Sequence, residues 1–262
     1  MDRREKIERL AQTPEDRVLL AKVYERIEAG RQREILTNTG FLSQREQALA
    51  RQLLGEIPGL CFFGGYNGAE RRIACYVPEY LEEESLLEPG GPAACIQGTY
   101  YAQDTVTHRD LLGALMGAGI ARQTVGDILT QPGRCVFCVT AEIAPYVLQN
   151  LASAGRTALH LEQIGLGEVQ LPQAETKLLR DTLASLRLDS LVSAGFRIGR
   201  SLAAQHILAG RAAVDGIPCE KPDKAVAQGC VVTVRGLGKL RLKEVCGETK
   251  KGRVAVLIEK YM

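Results

Sequence analysis

The stretch from Leu186 to Val234, LRLDSLVSAGFRIGRSLAAQHILAGRAAVDGIPCEKPDKAVAQGCVVTV, decides how this chain is read. A helix starts at Asp189, a loop follows from Gly195 to Gly199, and a second helix runs from Arg200 to Ala209. Gly210 ends that helix, because a residue without Cβ takes the left-handed conformation at no steric cost. Arg211 to Val214 then forms a strand, Asp215-Gly216 a tight turn, and Val226 to Val234 leads into a further strand. Arg187, Arg197 and Arg200 fall around the ends of the two short helices. There a forked guanidinium can hold a phosphate twice, assisted by helical N–H groups. Cations on a small scaffold without an apolar pocket suit a nucleic-acid backbone better than a metabolite.

A second basic block follows, RGLGKLRLK over residues 235–243 and then GETKKGR over 247–253. Lys239, Arg241 and Lys243 alternate with Leu240 and Leu242, so the period of two puts all three cations on one strand face. Arg235 precedes them, and Lys250, Lys251 and Arg253 extend the block. Residues 176–262 hold sixteen Lys and Arg against eight Asp and Glu, an excess of +8 inside a whole-chain charge of +2. Residues 1–175 therefore carry −6. Such asymmetry implies a polyanionic partner for the basic part. A hydrophobic share of 45% and a mean hydropathy of -0.06, with no apolar run near twenty residues, exclude a membrane span. The charged opening MDRREKIERL is not a signal peptide, so a cytoplasmic protein with eight reduced cysteines is expected.

The segment 186–234 resembles the small RNA-binding domain of the S-four-type family, the alpha-L RNA-binding motif. The family's Arg-Leu-Asp opening, glycine loop, helix start and Gly-x-Val-x-Val-Asn-Gly hairpin before Lys-Pro correspond to Arg187-Leu188-Asp189, Gly195, Arg200, residues 210–216 and Lys221-Pro222. Gly199 replaces the usual helix-starting serine and is itself an acceptable N-cap. Asp215 replaces the usual asparagine and puts a negative charge in the turn, so it is assigned no RNA contact. The resemblance implies that Arg187, Arg197, Arg200, Arg211 and Lys221 bind RNA.

Upstream, residues 1–56 give three helices: Ile7, Leu10 and Ala11 share a face of the first, Thr13-Pro14 opens the second with Gly30 closing it, and a third runs from near Ser43 to Gly55. Leu60–Phe63 and Arg71–Val77 around a glycine-rich turn read as a hairpin. The acidic run Glu82–Glu84 and the turn Glu88–Pro92 mark a boundary. Strands near 94–98, 134–140 and 158–163 alternate with helices at 108–116, 123–129 and 144–154, and helix returns from Leu178. The expected architecture is α+β in three regions. These are a helical N-terminal region with a terminal hairpin over 1–77, a ferredoxin-like, RNA-recognition-like α/β sandwich over 78–175, and the S-four-type domain over 176–262.

The stretch from Thr107 to Ile128 carries glycines that tempt a dinucleotide reading, but Gly117-Ala118-Gly119 lies at a helix end and no third glycine follows, so that reading fails. His108 has no acidic or nucleophilic partner at readable spacing and sits at a helix start. His108-Arg109-Asp110, Gly113, Gly119-Ile120, Arg122, Gly126-Asp127-Ile128 and the glycine–lysine steps at 235–239 and 249–252 together closely resemble the YlmH family, over essentially the whole chain. Membership implies binding to ribosomal RNA and to tRNA or peptidyl-tRNA on an obstructed large ribosomal subunit, in ribosome-associated quality control or rescue of stalled ribosomes. His108, Arg109 and Arg122 become candidate RNA contacts of the central region, although the aromatic motif by which RNA-recognition domains stack bases is missing.

Cys135-Val136-Phe137-Cys138 is a single CxxC pair, short of the four ligands of a structural zinc site, so no metal and no cofactor are expected. An rRNA-modifying enzyme is the main alternative, since S-four-type domains are also fused to pseudouridine synthases and RNA methyltransferases. In those synthases the binding domain precedes a larger catalytic module, whereas here it comes last. The glycines at 165–167 open no cofactor-binding helix. A protein-binding adaptor linked to cell division is a further alternative, using the acidic front half. The reading favoured by the residues is a non-enzymatic, monomeric RNA-binding factor.

Overall fold

The computed structural model describes residues 2–88, 90–169, 176–249 and 252–261. It is an α+β protein that divides into two compact units, Met1–Pro172 and Gln173–Met262. Among the described residues no helix is long and apolar enough to cross a membrane.

The first unit opens with helices α1 (Arg3–Leu10) and α2 (Pro14–Arg33). The Thr13 hydroxyl accepts the Asp16 N–H at 3.2 Å and the Asp16 carboxylate accepts the Thr13 N–H at 3.1 Å, a capping box that fixes the start of α2. Asp16 is buried and also receives both Nη groups of Arg45, at 2.7 and 2.6 Å, from helix α3 (Gln44–Leu54). Strands β1 (Thr37–Leu42), β2 (Leu60–Phe63) and β3 (Arg72–Tyr76) form an antiparallel sheet in the order β1-β3-β2. The expected hairpin is β2–β3, but β1 is an addition to a region read as helical. Gly30 does not end α2, which continues to Arg33 with Glu34 in the left-handed region. The missing side chain at Gly30 instead lets Thr37 of β1 lie directly against the helix.

The chain continues through β4 (Ala93–Thr99), α4 (His108–Gly117), β5 (Val125–Gln131), β6 (Arg134–Thr140), α5 (Ala144–Asn150), the small ribbon β7 (Ser153–Ala154) and β8 (Thr157–Ala158), and β9 (His160–Ile164). The four longer strands form an antiparallel sheet in the order β5-β6-β4-β9. The helix expected over 123–129 is a strand after one 3-10 turn, because Val125 and Ile128 bury their branched side chains in the core and pair with β6.

The two faces of this sheet are both covered at the β4–β6 centre. Ile96, Phe137 and Val139 pack with Leu111, Leu115 and Val147 of the helices. Cys95 and Cys138 of the other face join Phe41, Ile73 and Cys75 of the first sheet in one apolar cluster. Residues on either side of position 78 thus share a core. Opposed in the β4–β6 register, Cys95 and Cys138 form a disulfide, which corrects the expectation that all eight cysteines are reduced. Cys135 and Cys138, three apart on a strand, point to opposite faces.

The second unit contains β10 (Thr176–Leu183), α6 (Leu188–Phe196), α7 (Arg200–Leu208), β11 (Ala212–Val214), β12 (Ile217–Pro218), β13 (Val231–Val234), β14 (Gly238–Glu248) and β15 (Val254–Tyr261). Its sheet runs β10-β15-β14-β13-β11-β12. The helix expected from Leu178 is strand β10, paired along its whole length with β15, with Leu179 and Leu183 turned to the core. Gly195 is helical rather than a loop residue, and its lack of a side chain admits Leu240 beneath α6.

Candidate nucleic-acid interface

Asp189 organises the helix layer of the second unit. Its carboxylate is buried and accepts the Ser190 N–H at 2.8 Å, Arg187 Nε at 3.3 Å and Arg200 Nε at 3.0 Å. The start of α6 thereby gathers one arginine from its own N-cap and one from the start of α7. Burial pushes the Asp189 carboxyl up, but the hydrogen bonds from Arg200 and Arg187 outweigh it and leave the group below its ordinary pKa. Both arginine side chains remain open to solvent, 40% for Arg187 and 51% for Arg200, which leaves donors for a ligand. The 221–224 loop is fastened to the same helix start, since Leu188 N–H donates to the Lys224 carbonyl and Asp189 N–H to the Pro222 carbonyl, both at 2.9 Å. Lys221 and Lys224 thus stand beside the Arg187–Arg200 pair, both exposed.

Arg197 is the C-cap of α6, exposed and left-handed at φ 54°. Arg211 and Arg235 are brought together by a 2.9 Å backbone bond from Arg235 N–H to the Arg211 carbonyl. Asp215 receives the Val231 N–H at 2.8 Å, so its charge serves the hairpin.

Lys239, Arg241 and Lys243 emerge elsewhere. Leu240 and Leu242 belong to the core under α6, so the alternating cations lie on the sheet face turned away from the helices. A bulge at Lys243 keeps it with Arg241, and both reach Glu259, at 3.4 and 3.8 Å. Lys239 lies 5.0 Å from the Tyr261 ring centre. Arg253 is held by β10, with its Nε on the Thr182 hydroxyl at 3.0 Å and an Nη on the Thr182 carbonyl. Lys250 and Lys251 lie outside the described residues. The structure therefore sorts the basic residues into a helix-layer group and a sheet-face group.

Of the four cations of this unit that the sequence pattern did not single out, three stand beside these groups. Lys224 is placed by its carbonyl's bond to the Leu188 N–H, and exposed Arg180 shares the sheet face through its register with Leu257. Lys260 stands 5.4 Å from the Phe196 ring centre. Period-two alternation in Leu178–Arg180 would have revealed Arg180 once that segment was read as a strand.

In the first unit, His108 and Arg109 are exposed at the start of α4. Thr107 and Asp110 form the capping box there, with Thr107 N–H on Asp110 at 3.0 Å. Asp127 pins the β2–β3 loop to β5 by accepting Tyr66 OH at 2.7 Å, Glu70 N–H at 2.6 Å and Arg71 N–H at 3.0 Å. Arg122 is apart from the α4 pair, half-buried, and donates to the Val125 carbonyl at 2.6 Å.

A family model described as "Putative RNA-binding domain in YlmH" matches residues 100–168. Among curated proteins, the chain is 35% identical over 224 residues to "Ribosome-associated protein quality control protein P2" of Bacillus subtilis (strain 168), a match covering 85% of this chain and 86% of that protein. Among solved structures, "Cell division protein ylmH from Streptococcus pneumoniae" aligns at 20% identity with a TM-score of 0.48, over 59% of this chain and 93% of that chain. The motif resemblance at 107–128 and 186–253 and the identity sustained across most of the Bacillus protein lead to one assignment: this chain belongs to the YlmH family.

Proposed function

We propose that the protein is a non-enzymatic RNA-binding factor that associates with the ribosome. It would hold ribosomal RNA and tRNA on the large subunit during quality control or rescue of stalled ribosomes, acting as a cytoplasmic monomer without metal or cofactor. The observation that carries this reading is the Asp189 hub, which presents the Arg187 and Arg200 guanidinium groups side by side while leaving both substantially open. A buried carboxylate that orients two arginines lowers the entropy lost when they grip a phosphate. The name of the Bacillus relative and the RNA-binding description of the family model support RNA and the ribosome as partners.

In this reading the helix-layer group of Arg187, Arg197, Arg200, Arg211, Lys221 and Arg235 makes the principal phosphate contacts. Lys239, Arg241, Lys243, Lys250, Lys251 and Arg253 supply further ones. The β-α-β-β-α-β order of 93–164 supports a ferredoxin-like central region between the N-terminal region and the S-four-type domain. RNA-recognition domains stack bases on the open face of such a sheet. Here the centre of that face is covered by Phe41, Ile73 and Cys75, which closes it to base stacking, so the candidate RNA contacts of this region are His108 and Arg109 at the start of α4 and the half-buried Arg122.

Sucrose-gradient fractionation of cell extract tests the assignment: the protein should co-sediment with large subunits and leave them at high salt. Sedimentation only at the top of the gradient would count for a protein-binding adaptor. A modified nucleotide missing from ribosomal RNA of cells lacking the protein would count for an enzyme.

A further inference from the structure

A cleft of about 1130 Å³ opens in the first unit between the α2–β1 segment and the residues flanking β5 and β6. Its volume lies somewhat above the range for pockets that enclose small organic ligands, roughly 300–1,000 Å³, as an open-sided cleft does. Arg71 and Arg122 both line it, and both donate to the Val125 carbonyl, at 3.0 and 2.6 Å. Two guanidinium groups are thereby drawn together. Neither has an ion pair among the described residues, and the Nη1 of Arg71 and the Nε and Nη2 of Arg122 have no hydrogen-bond partner there. Burial and the neighbouring Arg122 pull the Arg71 pKa down to about 10, and the nearby Glu46 and Asp127 carboxylates offset only part of that pull.

The other charges of the lining sharpen the asymmetry. Among its carboxylates, Glu25 is paired with Arg3 at 2.7 Å and Glu46 accepts the Ser43 N–H at 2.6 Å in the cap of α3, while Glu142 is exposed. Lys22 and Arg26 at the exposed side of α2 have no ion pair among the described residues. Thr140, only 6% exposed, also lines the cleft, and its hydroxyl has no hydrogen-bond partner among the described residues. A buried hydroxyl left unpaired costs free energy unless a ligand or water answers it.

We propose that this cleft binds a phosphate-bearing ligand of nucleotide size, with Arg71 and Arg122 on the phosphate and the Thr140 hydroxyl on a polar group of the sugar or base. The ligand is a free mononucleotide or the terminal nucleotide of an RNA strand, which share this chemistry. The site is independent of the RNA surface proposed for the second unit.

Isothermal titration calorimetry of the full-length protein with AMP, GMP, CMP and UMP, and with 5′- and 3′-phosphorylated trinucleotides, tests it. Saturable binding is expected, weakened about tenfold in Arg122→Gln by removal of a charged hydrogen bond and weakened several-fold in Thr140→Val. The exposed double variant Lys22→Ala, Arg26→Ala keeps the test decisive should Arg122→Gln fail to fold, and it too should bind more weakly. Binding of the mononucleotides identifies a free nucleotide as the ligand, and binding of the trinucleotides alone identifies an RNA end. No binding of any probe, inorganic phosphate bound as tightly as the nucleotides, or affinity unchanged in these variants would overturn the proposal. All the variants lie in Met1–Pro172, so failure here leaves RNA binding by the second unit untouched.

Discussion

Arg200, the first residue of α7, donates its Nε–H to the buried carboxylate of Asp189 at 3.0 Å, eleven residues earlier in the chain. One buried acid therefore sets both the junction of the two helices and the direction of a solvent-open guanidinium. Stability and RNA affinity should separate at this pair. Asp189→Ala removes the acceptor of the Ser190 N–H and of two arginines, and should cost about 1–3 kcal/mol of unfolding free energy in urea melts. Arg200→Ala breaks only a half-exposed pair, worth about 0.2–1 kcal/mol, yet should weaken RNA binding more than it weakens the fold. Equal stability losses in the two variants would contradict the hub.

Asp16 and Arg45 give the first unit an acid-sensitive joint. The Arg45 hydrogen bonds hold the Asp16 carboxyl far below its usual pKa. A group depressed on folding stabilises the folded state above its unfolded pKa of about 3.9, and that contribution disappears as pH falls through the folded value. Losing a hydrogen bond to a charged group costs about 1.5–3 kcal/mol, and Arg45 reaches solvent, so Asp16→Asn should lower stability at pH 7 by an amount of that order, and Tm with it. Between about pH 4 and pH 2 the variant should lose less further stability than the wild type, as followed by circular dichroism.

At Gly126 an added Cβ would meet the Phe41 ring at 2.7 Å, and Phe41 is fully buried where β1 meets β5. Gly126→Ala should destabilise the first unit by about 1–3 kcal/mol through overpacking, measured by thermal denaturation. A neutral substitution would show that β1 can move off the central sheet at no cost.

These positions also show what was legible beforehand. The paired helices at 188–208 were readable because Asp189, Gly199 and Gly210 punctuate them chemically, and the Asp215-Gly216 turn follows the same logic. Strand β1, TNTGFL, was not, because its asparagine and glycine carry little strand preference and its pairing partner lies thirty residues downstream. Strand β10 hid within TKLLRDTL, whose charged residues and leucines suit a helix as well as a strand. Its long pairing with β15, invisible locally, decides the matter. The basic residues were visible as a set, but their division between helix layer and sheet face depends on which side of the sheet α6 occupies.

Glu259 sits among the sheet-face cations, with Lys243 at 3.4 Å and Arg241 at 3.8 Å. If that face meets phosphates, the carboxylate opposes them. Glu259→Gln should tighten RNA binding a few-fold at low salt, with little change in Tm, because the amide keeps the shape of the side chain and ion pairs whose cations are about half exposed contribute only about 0–1 kcal/mol. Fluorescence anisotropy with labelled RNA would report the change, and weaker binding would remove the sheet face from the interface.

The central claim is that the second unit grips RNA through its phosphates. Its most direct test is the salt dependence of RNA affinity for the full-length protein and its Arg200→Ala, Arg241→Ala double variant, across about 50 to 200 mM salt. The account predicts that the log–log slope becomes shallower by about 0.7–0.9 for each phosphate no longer neutralised, with affinity reduced on unrelated RNA sequences alike. An unchanged slope in the double variant would contradict it.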